Sequence, residues 1–272
     1  MSEAVLPAKA PSSPRRGWRF RHVLLLINLA ALGTVFGLWW AATNLGWIAP
    51  IFLPSPHDVW HAAQMTMRNG DLLTDVLISA RRVFLGFGLA ALVAIPLGIV
   101  MGVWAPAKAV MDPFVSLLRP LPSITWIPLS ILWLGIGEAQ KVAIVFMGSW
   151  IYILLYTYES TRRVDPLLLK AARNLGASDI AVMREVILPG SLPGILAGLK
   201  VTLAISWSCV LTAEMIAAQS GLGALIWQAK DWGNLALVLV GMLCISLTVL
   251  VADWLMVKLE RLLLPWERSR RL

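Results

Sequence analysis

Lys170 to Pro193 reads KAARNLGASDIAVMREVILPGSLP, a polar run enclosed between long apolar ones. It follows Asp165-Pro166, an aspartate able to cap a helix and a proline suited to its first turn. Leu167, Leu168, Ala171, Ala172 and Leu175 then recur on one broad helical stripe. Gly176 suits the left-handed residue that ends a helix. Ser178 or Asp179 can cap a second short helix through about Arg184, with Pro189 expected to stop it. The pattern predicts two short helices at a glycine elbow, one of them carrying an apolar face outside any bilayer. Such a ridge beside basic residues marks a docking surface, or packs on the chain's own helix ends.

Outward from this segment the chain turns apolar. Of 272 residues, 58% are hydrophobic and 14% charged, against the roughly 25% charged of soluble domains. Apolar windows of about 20 residues recur, the length that crosses a hydrocarbon core. The fold class is all-α and polytopic, with six transmembrane helices. The expected spans are Val23–Thr43, Val76–Trp104, Phe114–Ile136, Val142–Tyr158, Gly194–Ala217 and Leu235–Val257. Pro120, Pro122 and Pro128 should kink or break the third, because each removes a backbone donor. A break of that kind persists in a membrane only where protein or a cavity satisfies the freed carbonyls.

Basic residues give the orientation. With the N-terminus inside, inner segments hold 17 Lys and Arg and outer segments hold three, Arg68, Lys141 and Lys230. Both termini and the Lys170 segment are therefore expected in the cytoplasm. The same asymmetry accounts for the net charge of +8 through anionic lipid headgroups. No nucleic-acid motif or soluble basic domain is present, so no nucleic-acid partner is expected.

The organisation follows: a basic tail over residues 1–22, a first span over 23–43, an outer segment over 44–75, a membrane core over 76–257 containing the 165–193 loop, and a basic tail over 258–272. The apolar run after Arg15–Arg21 is longer than a signal core and lacks a small-residue cleavage site, so it reads as a retained span. The outer segment, roughly 30 residues, falls below the ~40 that fold alone. Within it, His57-Asp58-Val59-Trp60-His61 resembles a zinc-protease HExxH, but Asp replaces the Glu and no third ligand is evident. An interfacial amphipathic helix from Ser55 to about Arg68 is expected there, and no metal. Cys209 and Cys244 lie inside spans as small apolar fillers. No Walker-type loop appears, so this chain is not expected to bind or hydrolyse ATP, and no catalytic triad can be assembled from three histidines.

Ionisable residues in or near spans are candidates by default. Here they are Arg81, Arg82, Glu214 and Asp253, each placed by its span toward an interface, where snorkelling or pairing also accounts for it. Small polar or amphipathic groups in apolar runs give a candidate solute path: Ser123, Thr125 and Trp126 in the broken span, with Ser206, Trp207, Ser208 and Glu214 in the fifth. Hydrogen bonding between helices would use the same groups. Ser220, Gly221, Leu222 and Gly223 open a stretch to Ile226 that has the glycines for a short re-entrant outer gate. Gly33/Gly37, Gly98/Gly102 and Gly194/Gly198 are pairs that permit close helix contact.

The run Lys170-Ala171-Ala172, three residues, Gly176, nine residues, Val186-Ile187-Leu188-Pro189 resembles the EAA loop of binding-protein-dependent ABC importer permeases, EAA-x3-G-x9-I-x-L-P. Lys170 stands where that pattern has Glu, and Val186 where it has Ile. Leu53-Pro54-Ser55-Pro56, Arg119-Pro120-Leu121-Pro122, Ile127 through Glu138, and Ala213-Glu214 with Ser220–Gly223 resemble the nitrate, sulfonate, taurine and bicarbonate branch. The resemblance implies a type I permease fold in a bacterial inner membrane and a transport subunit rather than an enzyme. It implies ATPase coupling through Asp165, Leu167, Leu168, Lys170, Ala171, Ala172, Leu175 and Gly176. It also implies two ATP-binding subunits carrying ATP and Mg, a periplasmic substrate-binding protein, and a second copy of this chain completing a homodimer. A secondary transporter would show paired inverted repeats, which the sequence lacks; a membrane scaffold would leave the broken third span without purpose.

Overall fold

A computed structural model describes residues 15–266, with side chains from Val23 onward except at Leu25. Among the described residues, five helices are long and apolar enough to cross a membrane, six when a bent pair is taken as one span. Each runs past its expected apolar window, because hydropathy marks only the part in hydrocarbon and backbone hydrogen bonding carries the helix on into the headgroup zone.

The chain divides into residues 1–58 and residues 59–272. In the first unit, α1 (Arg15–Asn44) starts eight residues ahead of the expected span; residues 1–14 of the expected tail lie outside the described residues. Its apolar window Leu26–Asn44 has none of its residues buried, and Gly33 and Gly37 have open space around them. The Trp39 indole N–H donates to the Pro54 carbonyl at 3.1 Å, folding the following loop back on the helix. Ser55 and Asp58 then cap reciprocally: Asp58 N–H donates to Ser55 Oγ at 3.2 Å and Ser55 N–H to Asp58 Oδ2 at 3.1 Å. These caps start α2 (Pro56–Arg68), the helix expected from Ser55.

The second unit is built on three long helices: α3 (Asp71–Val103), α6 (Glu138–Arg162) and α9 (Leu188–Ala217). α3 and α6 run parallel. A Cβ added at Gly98 would lie 2.7 Å from Thr157 Cβ, and one at Gly102 2.6 Å from Thr161 Cβ. That contact exists because these positions have no side chain. Gly194 and Gly198 meet Ser160 and Tyr156, so α9 lies antiparallel on α6. Two of the three glycine pairs are therefore used within the subunit. Val83, Ala90, Ala94, Ile144, Val145, Ile153, Leu154, Leu203 and Val210 form the shared core.

The third span is broken, as its prolines require. α4 (Ala105–Leu118) and the stretch Ser123–Leu134 meet at 91°. That stretch is a 3-10 turn, Ser123–Trp126, running into α5 (Ile127–Leu134). Short-range donors satisfy the break: Thr125 Oγ1 donates to the Pro122 carbonyl at 2.7 Å and Ser130 Oγ to that of Ile127 at 2.8 Å.

Past α7 (Pro166–Asn174) and α8 (Asp179–Val182), the helix continues where a stop is expected. Pro189 does not stop the chain. A single π turn, Met183–Ile187, joins α8 to α9, so helix is continuous over Asp179–Ala217. Leu188 N–H reaches back five residues to the Met183 carbonyl; the widened turn shifts the hydrogen-bond register just where Pro189 has no donor to give. α10 (Leu222–Asp231) and α11 (Leu235–Leu263) complete the unit. α11 extends into the expected C-terminal tail, and residues 267–272 lie outside the described residues.

Candidate functional site

The elbow is built by local rules. Asp165 Oδ1 accepts from Leu167 N–H at 2.8 Å, capping α7. At its other end Gly176 takes φ +82°, and two bonds close the turn: Gly176 N–H to the Arg173 carbonyl at 3.0 Å and Ala177 N–H to that of Ala172 at 3.1 Å. This pair is a Schellman closure, which needs the left-handed residue that glycine supplies. Ser178 Oγ accepts from Ala181 N–H at 3.3 Å and opens α8. α7 has no buried residue. Leu167, Leu168 and Leu175 are 69%, 54% and 88% exposed, so the ridge is not covered by its own chain. Lys170 and Ala171 share that exposure, while Ala172 is half-buried.

A second cluster lies at the other end of the α8–α9 run. Glu214 is fully buried, and its carboxylate is saturated with donors. Ser79 Oγ donates to it at 2.8 Å, Arg82 Nη1 at 2.7 Å and Gly223 N–H at 2.9 Å. Three successive backbone donors at the start of α10 each find an acceptor: Gly221 N–H on Asp75 at 2.6 Å, Leu222 N–H on Ser79 Oγ at 2.9 Å, and Gly223 on Glu214. Two carboxylates at a helix N-terminus also meet the positive end of its dipole. Gly221 is at φ +107°, and a Cβ there would sit 2.5 Å from Glu214 Oε1. Arg82 Nη1 donates also to the Ser220 carbonyl at 2.8 Å. Its other edge forks onto Glu138, with Nε on Oε2 at 2.8 Å and Nη2 on Oε1. Lys141 Nζ stands 4.0 Å from Glu138, also nearly buried. Two cations and two carboxylates so assemble from three helices.

Of the residues expected along a path, the structure brings some together and separates others. Ser123 and Cys209 line a cavity of about 230 Å³ with Arg119, Gly148 and Tyr152, beside the break in the third span. Thr125 and Ser208 are exposed and Trp126 is half-buried. Ser206 and Trp207 are buried in the subunit's own core, where Ser206 and Ser149 share a hydrogen bond of 2.7 Å. Arg81 and Asp253 point to the exterior, while Arg82 and Glu214 are sealed. Ser220–Gly223 form the loop and first turn around Glu214 rather than a free re-entrant hairpin. Ser79 and Asp75 carry no signal in the sequence, and Glu138 appears there only as the end of the run resembling the family branch. Glu138 directly follows Gly135-Ile136-Gly137 at the start of a span, and that placement is the signal that would have found it.

Residues 94–264 match the family described as binding-protein-dependent transport system inner membrane component. The chain belongs to that family. A probable ABC transporter permease protein of Brucella abortus is 37% identical over 241 residues, covering 89% of this chain and 95% of the relative. The taurine transport system permease protein TauC of Escherichia coli is 32% identical over 262 residues, 93% and 94% of the two chains. In architecture this permease resembles the MetNI methionine ABC transporter in an inward-facing conformation, with a TM-score of 0.66 over 72% of this chain and 97% of that one. At 19% identity the likeness speaks for fold alone. The permease family match runs from the last part of α3 through α11 and takes in all of the elbow. Arg82 lies ahead of the matched residues, Glu138 and Glu214 within them.

Proposed function

We propose that this permease is the membrane subunit of an ABC importer for a small oxyanion, of the sulfonate type that the taurine relative carries or of the nitrate or bicarbonate type. ATP and Mg are held by a separate ATPase subunit seated on α7. Two copies of the chain form the pore, two ATPases serve it, and a periplasmic binding protein delivers solute at the opposite face. The excess of basic residues around the elbow and termini favours their cytoplasmic placement. Asp165, Leu167, Leu168, Lys170, Ala171, Ala172, Leu175 and Gly176 make the ATPase contact. Ser123, Thr125 and Ser208, on accessible surface near the broken span, are the groups best placed to meet a hydrated anion.

The observation that carries the proposal is the uncovered leucine ridge on a helix capped at both ends. Apolar side chains held rigidly in water lower the free energy of any complex that covers them, by about 1.5–3 kcal/mol per fully buried leucine. Leu168→Asp tests it. An ATPase subunit should co-purify with the unaltered permease and be lost from the variant at equal membrane expression. Retention of the ATPase by Leu168→Asp would overturn the assignment.

A further inference from the structure

Arg82 is a single side chain shared by two segments that do not otherwise meet through it: the α5–α6 elbow, which ends the broken span, and the α9–α10 loop. Its two arms differ. The Glu214 arm is closed, with both side chains 2% exposed or less, and Ser79, Gly223 and the Ser220 carbonyl complete it. The Glu138 arm is open, because Glu138 is 60% exposed. Glu138 is also the first residue of α6, three residues after Gly135, whose φ of +70° is one that glycine adopts readily. Lys141, 5% exposed, stands 4.0 Å from the Glu138 carboxylate and donates to the Gly137 carbonyl at 3.1 Å.

We infer that Arg82 is a positioning residue for transport, a latch whose Glu138 arm releases the broken span while its Glu214 arm keeps the α9–α10 loop fixed. Charge-assisted bonds with one solvent-exposed partner exchange with water cheaply, whereas the buried arm has no water to exchange with. The broken span therefore moves and the loop around Glu214 stays. The inference rests on the importer reading for its consequence, since release of the span is what admits solute, but its geometry stands without it.

Glu138→Gln keeps the shape and removes the charge. In the assembled complex, amide hydrogen exchange over residues 134–138 should quicken about tenfold, the size expected for losing charged hydrogen bonds, with residues 218–223 unchanged. ATP hydrolysis without binding protein should rise by a similar factor, which a merely structural role would not produce. Arg82→Lys, whose one ammonium cannot fork to both carboxylates, should also quicken exchange over residues 134–138 and raise basal hydrolysis. Loosening of both segments together in Glu138→Gln, or unchanged basal hydrolysis, overturns the latch. If Arg82→Lys fails to assemble, Glu138→Gln decides alone. A wild-type chain that captures no ATPase counts against the importer reading, and the exchange pattern still decides the latch.

Discussion

At the elbow three leucines are each more than half exposed; at the other end of the same helical run, an arginine and a glutamate are sealed from water. Each region departs from the rule that governs the rest of the molecule, and in opposite senses. The elbow holds its shape by local bonds alone, so its apolar surface is free for another molecule. In the charge cluster, Arg82 is held by partners 56 to 138 residues away in sequence, so its charge is satisfied inside the chain. Exposed apolar groups on a rigid frame point outward to a partner, and buried charges with every donor matched point inward to a joint.

The two regions should respond oppositely to substitution, and the largest effect falls in the cluster. Glu214→Leu leaves Arg82 with half its charge partners and strips acceptors from Ser79 and Gly223. A loss of about 3 kcal/mol is expected, read as a fall in thermal midpoint in detergent; replacing Arg82 with Met in the same chain should recover part of it. Gly221→Ala comes next. Its backbone lies at φ +107° and its new methyl would strike the Glu214 carboxylate, for about 2 kcal/mol by the same measurement. At the elbow, Asp165→Ala removes one cap and should cost about 1 kcal/mol locally. It should appear as faster exchange at the Leu167 and Leu168 amides and weaker ATPase capture, with the thermal midpoint unmoved. A midpoint that falls as far for Asp165→Ala as for Glu214→Leu would erase the contrast.

How much could be read in advance follows the same division. The elbow was legible almost residue by residue, because caps and left-handed turns are encoded within a few positions: Asp165, Gly176 and Ser178 do there what their chemistry predicts. The break in the third span was legible for the same reason, through its prolines. Pro189 misled because a helix can absorb a missing donor by widening one turn, and neighbouring packing, not local sequence, selects that outcome. Pairing is one reading open to Arg82 and Glu214, but the sequence does not name the partners; two charges near span ends look alike whether they reach lipid headgroups or each other. Ser206 and Ser208 show the limit most simply, since composition marks both as polar and only the packed bundle tells which faces inward.

The π turn at Met183–Ile187 has one more consequence. By letting helix run unbroken from Asp179 to Ala217, it makes a stiff lever about 58 Å long with the exposed leucine elbow at one end and the Glu214 carboxylate at the other. A tilt of about 5° at its base displaces its tip by about 5 Å over that length, so force applied on one side of the membrane arrives at the other by leverage, with no relay of side chains between.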